Sequence, residues 1–150
     1  MSIKKINPYI HFNGTAEKAI QLYESALGAK TENIARYGDV PGTHVAPESK
    51  SRIMHALLRI GDGTVMVSDT TPDRPVALEG NIQVALDFTE PEGMAKSFDA
   101  LAAGGKVMLP LQDTFWGAKF GILTDPYGVR WLFNCEIKQG QPAQGVQHVR

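Results

Sequence analysis

The sequence predicts an α+β fold: two tandem β-α-β-β-β modules forming a cupped mixed sheet around a small-molecule cavity. Three observations predict it. Strand and helix periodicities follow the order strand, helix, strand, strand, strand, and that order occurs twice. The apolar positions of the two helices match at an offset of 75 residues, as Ala19, Ile20 and Tyr23 map onto Met94, Ala95 and Phe98. The length, 150 residues, suits one domain.

The first module opens with a strand over Asn7 to Phe12. A helix follows from Ala16 to Leu27, with Ala16, Ala19, Ile20, Tyr23, Ala26 and Leu27 along one face. Thr15 is placed to cap its start, and Gly28 sits where a C-terminal glycine belongs. Ala29 to Tyr37 reads as the next strand, and Gly38 to Ser51 as a loop. Ile53 to Ile60 and Thr64 to Asp69 form a hairpin around Gly61-Asp62-Gly63.

The second module repeats the order. Asn81 to Phe88 is a strand, and Thr89-Glu90-Pro91-Glu92 has a capping-box pattern. Met94, Ala95, Phe98, Leu101 and Ala102 line one face of a helix that stops at Gly104-Gly105. Three strands follow: Lys106 to Thr114, Ala118 to Thr124 and Val129 to Cys135. Asp125-Pro126-Tyr127-Gly128 joins the last two as a turn. The domain therefore spans 1–137, with repeats at about 6–70 and 80–136. The polar stretch 138–150 reads as a mobile tail.

Composition narrows the function classes. The chain is 43% hydrophobic and 21% charged, with net charge −1 and no basic cluster. That balance argues against nucleic-acid or anionic-membrane partners. No apolar run is long enough for a signal peptide or a bilayer span, which predicts a cytoplasmic protein. Cys135 is the only cysteine, so an intramolecular disulfide and a cysteine-rich zinc site are excluded. Lying in an apolar strand, it reads as a small core residue.

Acid–base chemistry needs a histidine or carboxylate poised in a pocket. His55, Asp69 and Asp113 are the candidates, whereas Asp87 and Asp125 suit a strand end and a turn. His55 and Asp69 stand on adjacent strands of the first hairpin. A three-residue turn sets them opposite each other, and a two-residue turn sets them on opposite faces. His11, His44 and Glu48 complete the possible metal donors.

The duplicated order, the YESALG segment beginning at Tyr23 and the closing DPYGVRWLFN resemble the glyoxalase/bleomycin-resistance/dioxygenase superfamily, the vicinal oxygen chelate proteins. NPYIHFNGTAEKAIQLYESALGA and DTFWGAKFGILTDPYGVRWLFN are similar to its PhnB-like branch. The resemblance implies homodimers. It places the metal-ligand positions on Pro8, Ser68, Asn81 and Leu132. Pro8 and Leu132 have no donor atom, and Ser68 and Asn81 are poor ligands for zinc, nickel or iron. No cofactor is predicted on this basis, although a divalent metal elsewhere is not excluded. Strand alternation counted from the same positions turns Met66, Gln83, Arg130 and Asn134 inward and His11, an odd step from Pro8, outward.

These residues predict a metal-independent small-molecule-binding protein. Its ligand is held by Ser68, Asn81, Gln83 and Asn134, with Trp116 at the rim. The alternative is an enzyme of lyase, isomerase or dioxygenase type, using another metal site or acid–base chemistry at His55 and Asp69.

Overall fold

A computed structural model describes residues 2–137 of the chain. Eight strands and two helices form two compact units that divide between Ala77 and Leu78. Each unit is one module with a four-stranded mixed sheet. The predicted tail, 138–150, lies outside the described residues.

Module one contains β1 (Tyr9–Phe12), α1 (Ala16–Leu27), β2 (Lys30–Arg36), β3 (Ile53–Ile60) and β4 (Gly63–Asp69). Its sheet order is β1-β4-β3-β2, with β1 parallel to β4 and the other pairs antiparallel. The helix forms because its apolar residues recur at helical spacing, and Ala16, Ala19, Ile20, Tyr23 and Ala26 are all buried. Phe12, Ala56, Leu58, Val65 and Val67 complete the core beneath it. Gly28 ends the helix at φ 68°, a left-handed conformation that favours glycine, and its N–H donates to the Glu24 carbonyl.

The cap of α1 is not Thr15, whose side chain makes no capping hydrogen bond. Asp69 takes that role from the end of β4. Its Oδ1 accepts the N–H groups of Gly14 and Ala16, each at 2.9 Å, and its Oδ2 accepts the N–H of Ile53 at 3.0 Å. The Asp69 carbonyl also accepts the Tyr37 hydroxyl at 2.7 Å. Asp69 is 1% exposed. It thus ties the β1–α1 turn, the start of β3 and the end of β2 to one point.

Module two contains β5 (Val84–Phe88), α2 (Pro91–Ala102), β6 (Lys106–Asp113), β7 (Ala118–Thr124) and β8 (Arg130–Glu136), in the sheet order β5-β8-β7-β6. Here capping is local but differs from the predicted box. Glu90 is itself the N-cap, and its carboxylate accepts the Gly93 N–H. Met94, Phe98 and Leu101 pack on Leu123, Trp131, Phe133 and Cys135, all buried. Gly105 is required by close approach, because a Cβ there would lie 2.3 Å from the Thr124 carbonyl oxygen. Asp125 holds the β7–β8 turn: Oδ1 accepts the N–H groups of Tyr127 and Val129, and Oδ2 accepts the Trp131 indole N–H at 2.9 Å.

Asp69→Asn swaps an acceptor for a donor against buried N–H groups. It should cost about 2–4 kcal/mol in urea unfolding. Thr15→Ala should stay within about 0.5 kcal/mol. Equal effects of the two substitutions would contradict the assignment of the cap to Asp69.

Candidate functional site

Each sheet has a face turned away from its own helix, and strand alternation decides which side chains reach it. In module one, β3 and β4 pair through Ala56↔Val67 and Ile60↔Gly63, which leaves a two-residue loop, Gly61-Asp62. That register sets His55 across from Ser68. Asp69 points to the helix layer, so His55 and Asp69 stand on opposite faces. The predicted pair is not brought together, and the buried carboxylate is committed to backbone N–H groups.

The partner of His55 is instead Tyr9. Its hydroxyl lies 3.0 Å from His55 Nδ1, and the two rings meet edge-on at 5.6 Å. β1 runs parallel to β4 with Tyr9↔Met66 and His11↔Ser68 in register. His11 therefore shares the open face with Ser68, contrary to the outward orientation expected from Pro8. Its ring lies 4.7 Å from that of Tyr9. Tyr9 is a candidate that the sequence reading does not select. The signal for it was period-two spacing in NPYIHF, where Tyr9 and His11 must share a face. Ser68 is buried, and its hydroxyl donates to the Met54 carbonyl at 2.8 Å.

In module two the open face carries Asn134, because Phe133 and Cys135 face the helix. The Asn134 amide donates to Asp87 Oδ1 at 3.1 Å, its register partner on β5. Phe120 is the partner of Asn134 on β7, and its ring meets that of Trp116 at 6.0 Å. Trp116 thus stands beside Asn134 through Phe120. Asn81 and Gln83 precede β5, which begins at Val84 rather than at Asn81, and both are exposed. The requirement of a buried amide for a partner does not apply to them. Asp113 pairs with Lys119 at 3.1 Å.

Among the described residues, no three His, Cys, Asp or Glu side chains gather as a metal-binding group. Of the positions that the resemblance assigns to a metal, Pro8 and Leu132 lack donors and the Ser68 hydroxyl is engaged with backbone. These residues do not fit the superfamily's metal, because they supply neither imidazole, thiolate nor carboxylate. No helix among the described residues is long and apolar enough to cross a membrane.

The model of the Glyoxalase/Bleomycin resistance protein/Dioxygenase superfamily matches residues 5–133, and the chain belongs to that superfamily. Protein YjdN of Escherichia coli K12 is 34% identical over 150 residues, covering 93% of this chain and 99% of its own. The crystal structure of PA1353 from Pseudomonas aeruginosa superposes with a TM-score of 0.82 at 38% identity, covering 91% of this chain and 100% of that one. A PhnB protein from Bacillus cereus superposes with a TM-score of 0.71 at 26% identity, covering 88% and 99%.

Cys135 is 1% exposed, and burial raises its thiol pKa, with Glu90 and Glu136 adding to the shift and Lys119 opposing it. Its neutral form is the native one. The stability it contributes is full below the unfolded thiol pKa and is lost as pH rises through the raised folded value. A disulfide reagent should therefore label native protein at pH 8 far more slowly than urea-unfolded protein. Comparable labelling rates in the two states would contradict a core role.

Proposed function

We propose that this chain is a small-molecule-binding protein of the superfamily, recognising its ligand with side chains on the open sheet faces. In module one these are Tyr9, His11, His55 and Ser68. In module two they are Asn134 and Trp116, with Asn81 and Gln83 at the approach to β5. The observation that carries the reading is the Tyr9–His55 hydrogen bond. It fixes one ring nitrogen of an imidazole on an open face and leaves Nε2 to a ligand. A face built only for packing would carry aliphatic side chains at these positions. Rings of Tyr9, His11 and His55 within contact distance suit a small planar organic ligand.

The working form we propose is a homodimer. β6 lies at the edge of its sheet and exposes Val107 and Met108 by nearly half. Proteins normally cover such an edge.

The same contact supports a second reading, acid–base catalysis with Tyr9 rather than Asp69 as the partner of His55. A phenol in hydrogen-bond reach can relay or hold the imidazole proton. Under this reading a bound compound is consumed; under the first it is recovered unchanged.

A thermal-shift screen of small aromatic and heteroaromatic compounds tests the proposal. Hits should raise the melting temperature of the wild-type chain, and the gain should fall at least by about half in His11→Ala and His55→Ala. Tyr9→Phe should fold normally, within about 0.5 kcal/mol, and weaken the same hits. Undiminished gains in all three variants would overturn the assignment of the ligand to this face.

A further inference from the structure

We infer that the Arg130 end of the module-two sheet holds a site for a small-molecule oxyanion, a carboxylate or phosphate group, read by Arg130 with Gln83 and Thr124. The site rests on the ligand-binding reading above and adds the charge of the ligand.

Arg130 opens β8, on the face opposite the buried Trp131 and Phe133. A guanidinium carries five N–H donors. Here one of them, on Nη1, reaches the Gly80 carbonyl at a long 3.4 Å. Its Nε is buried with no hydrogen-bond partner among the described residues. Among the described residues no carboxylate pairs with it either. The ion pairs among the described residues join Arg36 to Glu17, Arg59 to Glu32 and Lys119 to Asp113. The nearby acid Asp125 is committed to Tyr127, Val129 and the Trp131 indole, on the helix side. Glu79 is exposed beside Gly80 and is in none of these ion pairs.

The neighbours of Arg130 are neutral donors. Thr124 is its register partner on β7. On the other side Val84 pairs in parallel with Trp131, so one step back sets Gln83 beside Arg130. The Arg130–Gly80 contact confirms that this approach to β5 runs past the guanidinium head. A hydroxyl on β7, a guanidinium on β8 and an amide at the approach to β5 thus lie in a row, and none of the three has a side-chain hydrogen-bond partner among the described residues. A half-buried arginine without a counter-charge is costly unless an anion completes it. Its planar fork matches the oxygens of a carboxylate or phosphate.

The test is a proton–nitrogen NMR titration of the full chain at constant ionic strength with benzoate, phenyl phosphate and neutral benzamide. The Arg130 Nε–H and the Gln83 side-chain amide should shift saturably with at least one anion and not with benzamide. Tighter binding of benzoate identifies a carboxylate ligand, and tighter binding of phenyl phosphate a phosphate. Arg130→Gln should weaken the anion by about tenfold or more. If that variant fails to fold, the pair Gln83→Ala and Thr124→Val decides, each expected to weaken binding by a smaller factor. Equal shifts with benzamide, non-saturating shifts, or wild-type affinity in the folded variants would overturn the site. Shifts confined to Tyr9, His11 and His55 would overturn it while leaving the ligand-binding reading standing. Saturable shifts at Arg130 with undiminished thermal-shift hits in the His11 and His55 variants would do the reverse for the module-one face.

Discussion

Asp69 receives the backbone N–H groups of Gly14, Ala16 and Ile53 on one buried carboxylate, and its carbonyl receives the Tyr37 hydroxyl. These contacts join segments that lie far apart along the chain. They start α1 at Ala16, set the first residue of β3 and hold the chain where β2 ends. The proposed ligand face depends on this constraint. With Asp69 turned to the helix, strand alternation turns Ser68 to the opposite face, and register then brings His11 and His55 to either side of it. The same geometry removes Asp69 from any chemistry, because its oxygens are occupied by structure.

The parts of the fold that local periodicity controls were legible in the sequence. The boundaries of α1 and of Ile53–Ile60 agree with the structure residue for residue, since burial and turn chemistry act within a few residues there. The DPYG turn was equally legible, because Asp125 bonds two and four residues ahead. The α1 cap was not. Sequence logic looks for a capping side chain beside the helix, and the one used here is 53 residues from Ala16. Strand β5 begins at Val84 rather than at Asn81, although Asn81 to Gln83 continue an alternating pattern.

The candidate site was legible in part. His55, Ser68 and Asn134 do lie on faces turned away from the helices, and Trp116 does meet the ring beside Asn134. The error in module one came from a single reference point. Counting faces from Pro8 turns Tyr9 and His11 away from the open face, whereas the observed register sets Tyr9 across from Met66 and His11 across from Ser68. A slip of one residue exchanges the two faces of a strand. The pairing of His55 with Asp69 failed for the same kind of reason, since it depended on whether the hairpin loop holds two residues or three.

The two open faces offer different chemistry, each taken by itself. Module one presents imidazole and phenol groups linked by a hydrogen bond. Module two presents a guanidinium whose Nε has no hydrogen-bond partner among the described residues, with an aromatic pair further along the sheet. Both are hydrogen-bonding surfaces where a packing surface would be aliphatic, and that contrast is the central claim. Crystals of the full chain soaked with a library of small aromatic acids test it most directly. The account predicts density against Tyr9 and His55, or against Arg130 and Gln83. Fragments bound only on helix surfaces or loops, with both open faces bare across the library, would contradict it.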